Sequence, residues 1–299
     1  MKLTRLRGRR GRGLWSPTVA ASGWGESTYA EISWDKSRSA GIRWALAGVI
    51  VGSLIALVLF APAAWLAQAV ASATSQRLQL ADARGTIWGG SAVAVLSGGA
   101  GSRDATSLPG RLEWTLRPLG LGVELKLRQS CCLNGTVAIQ VSPGISRTVY
   151  TLVPPAGWVG QWPSAFLGGL GTPWNTMELG GSIRLESPGL RVESVQGRWV
   201  MDGQAEIQVI NASSRLTTLE SLGSYRMSLT GDAANPGISL LSLTTLDGAL
   251  QLSGTGTWGP SGVRFRGEAR AKAQEEPALS NLLNIIGRRD GARSVISIG

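Results

Sequence analysis

"VELKLRQSCCLNGTVAIQV", residues 123–141, is the stretch whose reading decides the fold. It sets Val123, Leu125 and Leu127 on one face and Glu124, Lys126 and Arg128 on the other. That period of two belongs to a strand wetted on one side only. If Asn134-Gly135 alone formed the turn, the apolar residues of the two flanking strands would face opposite ways. A three-residue loop, Leu133-Asn134-Gly135 with Gly135 left-handed, keeps them together and pairs Leu127 with Val141 and Cys131 with Val137. This register turns Cys131 inward and Cys132 toward the polar face. The chain is therefore expected to be mainly β, an antiparallel sheet with one wet face.

The only two cysteines, Cys131 and Cys132, are adjacent. Neighbouring Cα atoms lie about 3.8 Å apart, below the roughly 4.4–6.8 Å that a disulfide usually spans. Two free thiols, a strained vicinal bridge and a bond to another chain all remain open. Two thiols are too few to hold a metal.

Outward from this hairpin the same alternation returns. "EIQVI" (206–210), "YRMSLTG" (225–231) and "VRFRGEARA" (263–271) each read as strands. The spacing φ-x-x-φ-x-G-x-φ occurs three times, at Leu80-Ala83-Gly85-Ile87, Val192-Val195-Gly197-Trp199 and Leu243-Leu246-Gly248-Leu250. We expect these to be strands that bend as they cross the sheet, with Trp88 covering backbone left bare by its neighbouring glycines. One helix is well specified, in "EEPALSNLLNIIGRR" (275–289). Leu279, Leu282, Leu283 and Ile286 make a single stripe, Pro277 suits the first turn and Gly287 suits a left-handed stop. Its expected task is to cover the sheet.

Residues 154–181, "PPAGWVGQWPSAFLGGLGTPWNTMELGG", carry Trp158, Trp162 and Trp174 among Gly and Pro. The segment either folds back over the sheet, with Ser164 capping a short turn, or presents aromatic anchors to another protein. It also suggests two halves, 69–154 and 179–299, joined by 155–178.

The one strongly apolar segment, Trp44–Ala67, would be about 36 Å long as a helix, against a hydrocarbon core of about 30 Å. Trp44 and Trp65 sit near its ends, with Leu54 and Phe60 between them, as a membrane anchor would place them. Ala69-Val70-Ala71 resembles a leader cleavage site, but an apolar core this long exceeds the about 7–15 residues of a leader. A retained single span at 44–67 is the expectation. The preceding 1–43 read as a basic, largely disordered tail, and 69–299 as a β-rich domain outside the cytoplasm.

Net charge is +10. Residues 1–43 hold nine Lys/Arg against three Asp/Glu. "RLRGRRGRG" is explained as a cytoplasmic topology signal, without a nucleic-acid partner. The chain contains no histidine, which removes Ser-His-Asp and Cys-His catalysis and most zinc sites. The glycine-rich runs match neither a phosphate-binding loop nor a dinucleotide fingerprint. No catalytic, cofactor or metal residue is assigned, and an enzyme is not expected.

"RWALAGVIVGSLIALVLFAPAAWLA", "LADARGTIWGGSA", "LPGRLEWTLRPLG", "CCLNG", "LGTPWNT" and "LLNIIGRRDGARSVISIG" follow one another in this order. From about Trp44 to the C-terminus the chain resembles protein N of the bacterial type II secretion system, the general secretion pathway protein N family. That resemblance implies a single-pass inner-membrane protein of a Gram-negative bacterium, with its cytoplasmic tail in front and a periplasmic domain behind. It implies an accessory role in moving folded proteins across the outer membrane, through contacts with the inner-membrane platform or the outer-membrane secretin. "GTIWGGSA" and "LEWTLRP" are also similar to AsmA-like envelope proteins, which implies a β-groove that handles lipid. The family brings no catalytic residues. Trp88, Trp158, Trp162, Trp174, Cys131 and Cys132 are the candidate structural or interaction residues, and the expected fold is a curved, mostly antiparallel sheet with one or two short covering helices.

Overall fold

A computed structural model describes residues 23–172, 174–195, 198–232 and 234–299. It contains two units, residues 1–58 and 59–299. In the first, helix α1 spans Gly23–Leu59. Within the stretch read as a largely disordered tail, residues from Gly23 on are helical, and residues 1–22 lie outside the described residues.

The second unit begins with helix α2, Ala63–Ala73. Its strands are β1 (Leu78–Gly85), β2 (Gly89–Ser97), β3 (Ala105–Ser107), β4 (Leu112–Leu119), β5 (Gly122–Arg128) and β6 (Thr136–Pro143). Then come β7 (Arg147–Val153), β8 (Trp158–Pro163), a 3-10 segment at Ser164–Leu170, helix α3 (Trp174–Met177), β9 (Gly180–Val195) and β10 (Arg198–Ser213). The rest is β11 (Gly223–Gly231), β12 (Ser239–Asp247), β13 (Leu250–Gly259), β14 (Gly262–Ala271), helix α4 (Glu276–Ile286), β15 (Arg288–Asp290) and β16 (Arg293–Ile298).

Among the described residues, all sixteen strands join one open sheet, mostly as a meander in which each strand pairs antiparallel with the next. β7 pairs directly with β9, so the sheet continues past the Gly/Pro/Trp-rich segment. That segment lies against one part of β9, where β8 pairs with Ser182–Glu186, while β7 takes Leu190–Val195.

The apolar rows settle on one face, and short helices cover parts of it. α4 buries Leu279, Leu282 and Leu283 against Leu250, Ala269, Ala212 and Tyr225. Burying such a side chain is worth roughly 1.5–3 kcal/mol. α2 does the same at the other end, with Ala63 and Leu66 packed near Ala92 and Trp114. Gly287 is not left-handed: its φ of −164° is extended, and the chain runs straight from α4 into β15.

Three further sequence expectations are corrected. First, β5 and β6 pair Leu127 with Val137 and Val123 with Val141. The expected register is four residues out, because Gln129–Gly135 forms a seven-residue loop in place of the three-residue turn. An even slip leaves every side chain on its own face, so the sheet survived the error. Second, Cys132 is the buried cysteine, at 2 % exposure, and Cys131 is exposed. Third, the repeated glycine spacing marks turns between strands, not bends within them. Gly85 ends β1 and Gly248 lies between β12 and β13, with φ of 89° and 134°, values that favour glycine. Gly197 sits between β9 and β10 but lies outside the described residues. The ring over the bare backbone of β2 belongs to Trp114: a Cβ on Gly90 would meet its Cζ2 at 2.6 Å. Trp114 Nε1–H donates to the Thr86 carbonyl at 3.2 Å, which holds the indole in place.

Tyr225 gives a pH-dependent test of this core. Its buried hydroxyl lies 3.1 Å from the Leu222 carbonyl and 3.0 Å from the Leu250 carbonyl, donating between them. Burial pushes its pKa above the ordinary value. The folded chain therefore holds that proton more tightly than the unfolded chain does. The contribution is complete below pH about 10 and is lost as pH rises beyond it. Tyr225→Phe is expected to cost about 1–2 kcal/mol at neutral pH and to flatten the alkaline fall in melting temperature. Equal alkaline slopes in both proteins would show that Tyr225 is not the group responsible.

Candidate functional site

Gly41–Leu59 has a mean hydropathy of 2.2 and is long and apolar enough to cross a membrane. Trp44 and Leu54 lie in it, at 79 % and 58 % exposure. The apolar run expected as one helix over 44–67 is divided. α1 stops at Leu59, and Pro62, extended at φ −69°, precedes α2. Proline lacks an amide donor and disfavours helix in the residue before it, so the break falls there. Phe60 follows the span, while Trp65 sits on α2 and remains about half exposed.

The other candidate residues separate into three places. Trp162 and Phe166 pack against Cys132, Ala94 and Leu108, and Cys131 and Cys132 form a vicinal disulfide. Trp158 lies on the same strand, β8, paired with Glu186. Ser164 does not cap the 3-10 segment; Pro163 precedes it and Ser164 is buried inside it. Trp88 is half-buried between β1 and β2, where its carbonyl accepts the Leu116 amide at 2.8 Å.

Trp174 stands apart. It begins α3 and borders a cleft of about 770 Å³ lined also by Arg103, Asp104, Asn175, Glu178 and Arg215. Asn175 Nδ2 donates to Asp104 Oδ2 at 3.1 Å, and Arg215 pairs with Glu178 at 2.8 Å. These links fix the acids as partners of neighbouring side chains and leave the indole, with Ala105, Ala165 and Leu179, as the apolar part of the lining.

A second recess was not foreseen. Val192, Trp199, Met201 and Trp258 line about 240 Å³ on the apolar face, and the Tyr150 ring lies 5.8 Å from that of Trp199. Among the described residues, its lining contains no charged side chain. The clue in the sequence was Trp199, the last position of one φ-x-x-φ-x-G-x-φ copy. Only the pairing of Tyr150 with Val192, and of Val192 with Met201, brings the rest beside it.

The β1 edge is guarded by charge. Asp82 is left-handed at φ 49°, at a break in register between Ala81 and Arg84. Arg111 donates to Asp82 Oδ2 and to its carbonyl, both at 2.7 Å, and to Ser91 Oγ at 3.0 Å. The Arg111 and Arg84 guanidiniums hold the Asp82 carboxyl below the usual carboxylate range. A bulge and charges of this kind discourage another chain from adding to an open sheet edge. Among the described residues no group of His, Cys, Asp and Glu is arranged to hold a metal ion.

A family model described as type II secretion system (T2SS), protein N matches residues 76–296. No curated protein matches the chain. No solved structure matches it either. The match runs from the residues just before β1 into β16, nearly the whole sheet. By that match the chain belongs to the type II secretion system protein N family.

Proposed function

We propose that the chain is an accessory inner-membrane component of the type II secretion apparatus, with its N-terminus in the cytoplasm and its sheet domain in the periplasm. It acts by protein–protein contacts with the inner-membrane platform or the outer-membrane secretin during export of folded proteins, and performs no chemistry of its own. The observation that carries this reading is the family match over the sheet, directly behind one apolar segment able to span a bilayer. The Arg-rich start, "RLRGRRGRG", supports the orientation. Trp174, at the rim of its polar cleft, is the aromatic anchor best placed for a protein contact. Mild crosslinking in membranes is expected to co-purify secretin or platform proteins. Recovery of phospholipid alone, with no secretion protein, would overturn the proposal.

The uncharged recess at Val192, Trp199, Met201 and Trp258 favours a second reading, an envelope protein whose β-groove handles lipid. Under that reading, bound acyl lipid would copurify with the native chain and be lost from Trp199→Ala.

A further inference from the structure

The vicinal disulfide lies in the loop between β5 and β6, and that loop grips another strand. The Cys132 carbonyl accepts the Gln161 amide at 2.8 Å, and the Asn134 amide donates to the Val159 carbonyl at 3.1 Å. Asn134 Nδ2 donates to the Ala156 carbonyl at 3.0 Å and the Trp158 carbonyl at 2.9 Å. Leu133 and Gly160 form an isolated bridge. Among the described residues, β8 pairs with no strand but β9, and this loop supplies bonds along its other edge. The fit is close, since a Cβ on Gly160 would lie 3.0 Å from the Cys132 carbonyl oxygen. Cys132 is seated among Ala94, Leu108, Trp162 and Phe166, while Cys131 is exposed.

We infer that Cys131–Cys132 is a reversible redox site, open to dithiol reductants, whose reduction loosens the loop from β8. A reductant thiolate attacks Cys131 Sγ, on the exposed residue, forming a mixed disulfide. The S–S bond breaks and Cys132 leaves as a thiolate, which takes up a proton. The second thiol of the reductant, as its thiolate, then displaces Cys131 Sγ, which is protonated in turn. Two electrons and two protons have passed to the protein, and the reductant leaves as its own disulfide. The apolar seat of Cys132 makes it a reluctant leaving thiolate, so reduction proceeds as the loop opens. A bridge between neighbours closes a very short loop and constrains the unfolded chain little. Its effect is therefore local: β8 loosens while the sheet stands.

The test uses the full chain in detergent micelles, with dithiothreitol as the reductant. Without it, iodoacetamide is expected to label neither cysteine. After reduction, Cys131 should label about tenfold faster than Cys132, and amide protection over 156–163 should fall about tenfold, with 276–286 unchanged. C131S/C132S should show the same local loss without reductant. Should that variant fail to fold, the oxidised and reduced native chain still give the comparison. Labelling of the untreated chain, equal labelling rates, or unchanged protection over 156–163 on reduction would each overturn the inference.

Discussion

Leu283→Ala is expected to destabilise the sheet domain by about 2–5 kcal/mol, the range for removing a fully buried leucine. Leu283 is 0 % exposed, as are Leu279 beside it and Ala269 beneath. The backbone there cannot easily collapse into the gap, because the Ser294 hydroxyl donates to the Leu283 carbonyl at 2.6 Å and ties α4 to β16. A cavity that cannot close takes the upper part of the range. Ile285 provides the internal control. It lies on the same helix but is 52 % exposed, so Ile285→Ala should change stability by no more than about 0.5 kcal/mol beyond helix propensity. Urea unfolding of both variants, followed by tryptophan fluorescence, reads the difference. Similar losses from the two would mean that α4 does not cover the sheet through its leucine stripe.

The same stripe shows why some of this fold could be read directly from the sequence. Helical and strand periods are local, so Leu279, Leu282 and Leu283, and the alternation in β5 and β14, declared their faces without tertiary information. Registers and turns are not local in that sense. The Cys131–Cys132 loop consumes four residues more than the tightest acceptable turn, and nothing before it in sequence reveals that β8 will pack against it. The glycine spacing is plain in the sequence, but a glycine at positive φ serves a bend or a turn alike, and only the pairing of the flanking strands decides. The interaction residues show the same limit. Trp174 could be singled out by composition, whereas its companions Arg103, Asp104 and Arg215 come from distant stretches. Tyr150 meets Trp199 because β7, β9 and β10 are neighbours in the sheet, and Trp258, from β13, lines the same recess as Trp199.

Where the sheet domain begins can be tested by two truncations, each exported behind a cleavable leader. A chain starting at Phe60 is expected to fold as a β-rich domain. One starting at Ala69, the boundary suggested by the apolar run alone, is expected to be less stable by roughly 3–5 kcal/mol. The longer form keeps Ala61, whose carbonyl accepts the Ile87 amide at 3.0 Å, and Pro62, which bridges to Thr86. It also keeps Ala63, 1 % exposed, and Leu66, both packed into the cluster around Trp114. Removing them uncovers that indole and leaves the Ile87 amide without its partner, while shortening α2 by more than half. Thermal melts followed by far-ultraviolet circular dichroism distinguish the two forms. Equal melting temperatures would mean that the segment 60–68 belongs with the span alone. A helix-dominated spectrum from the Phe60 form would contradict the sheet itself.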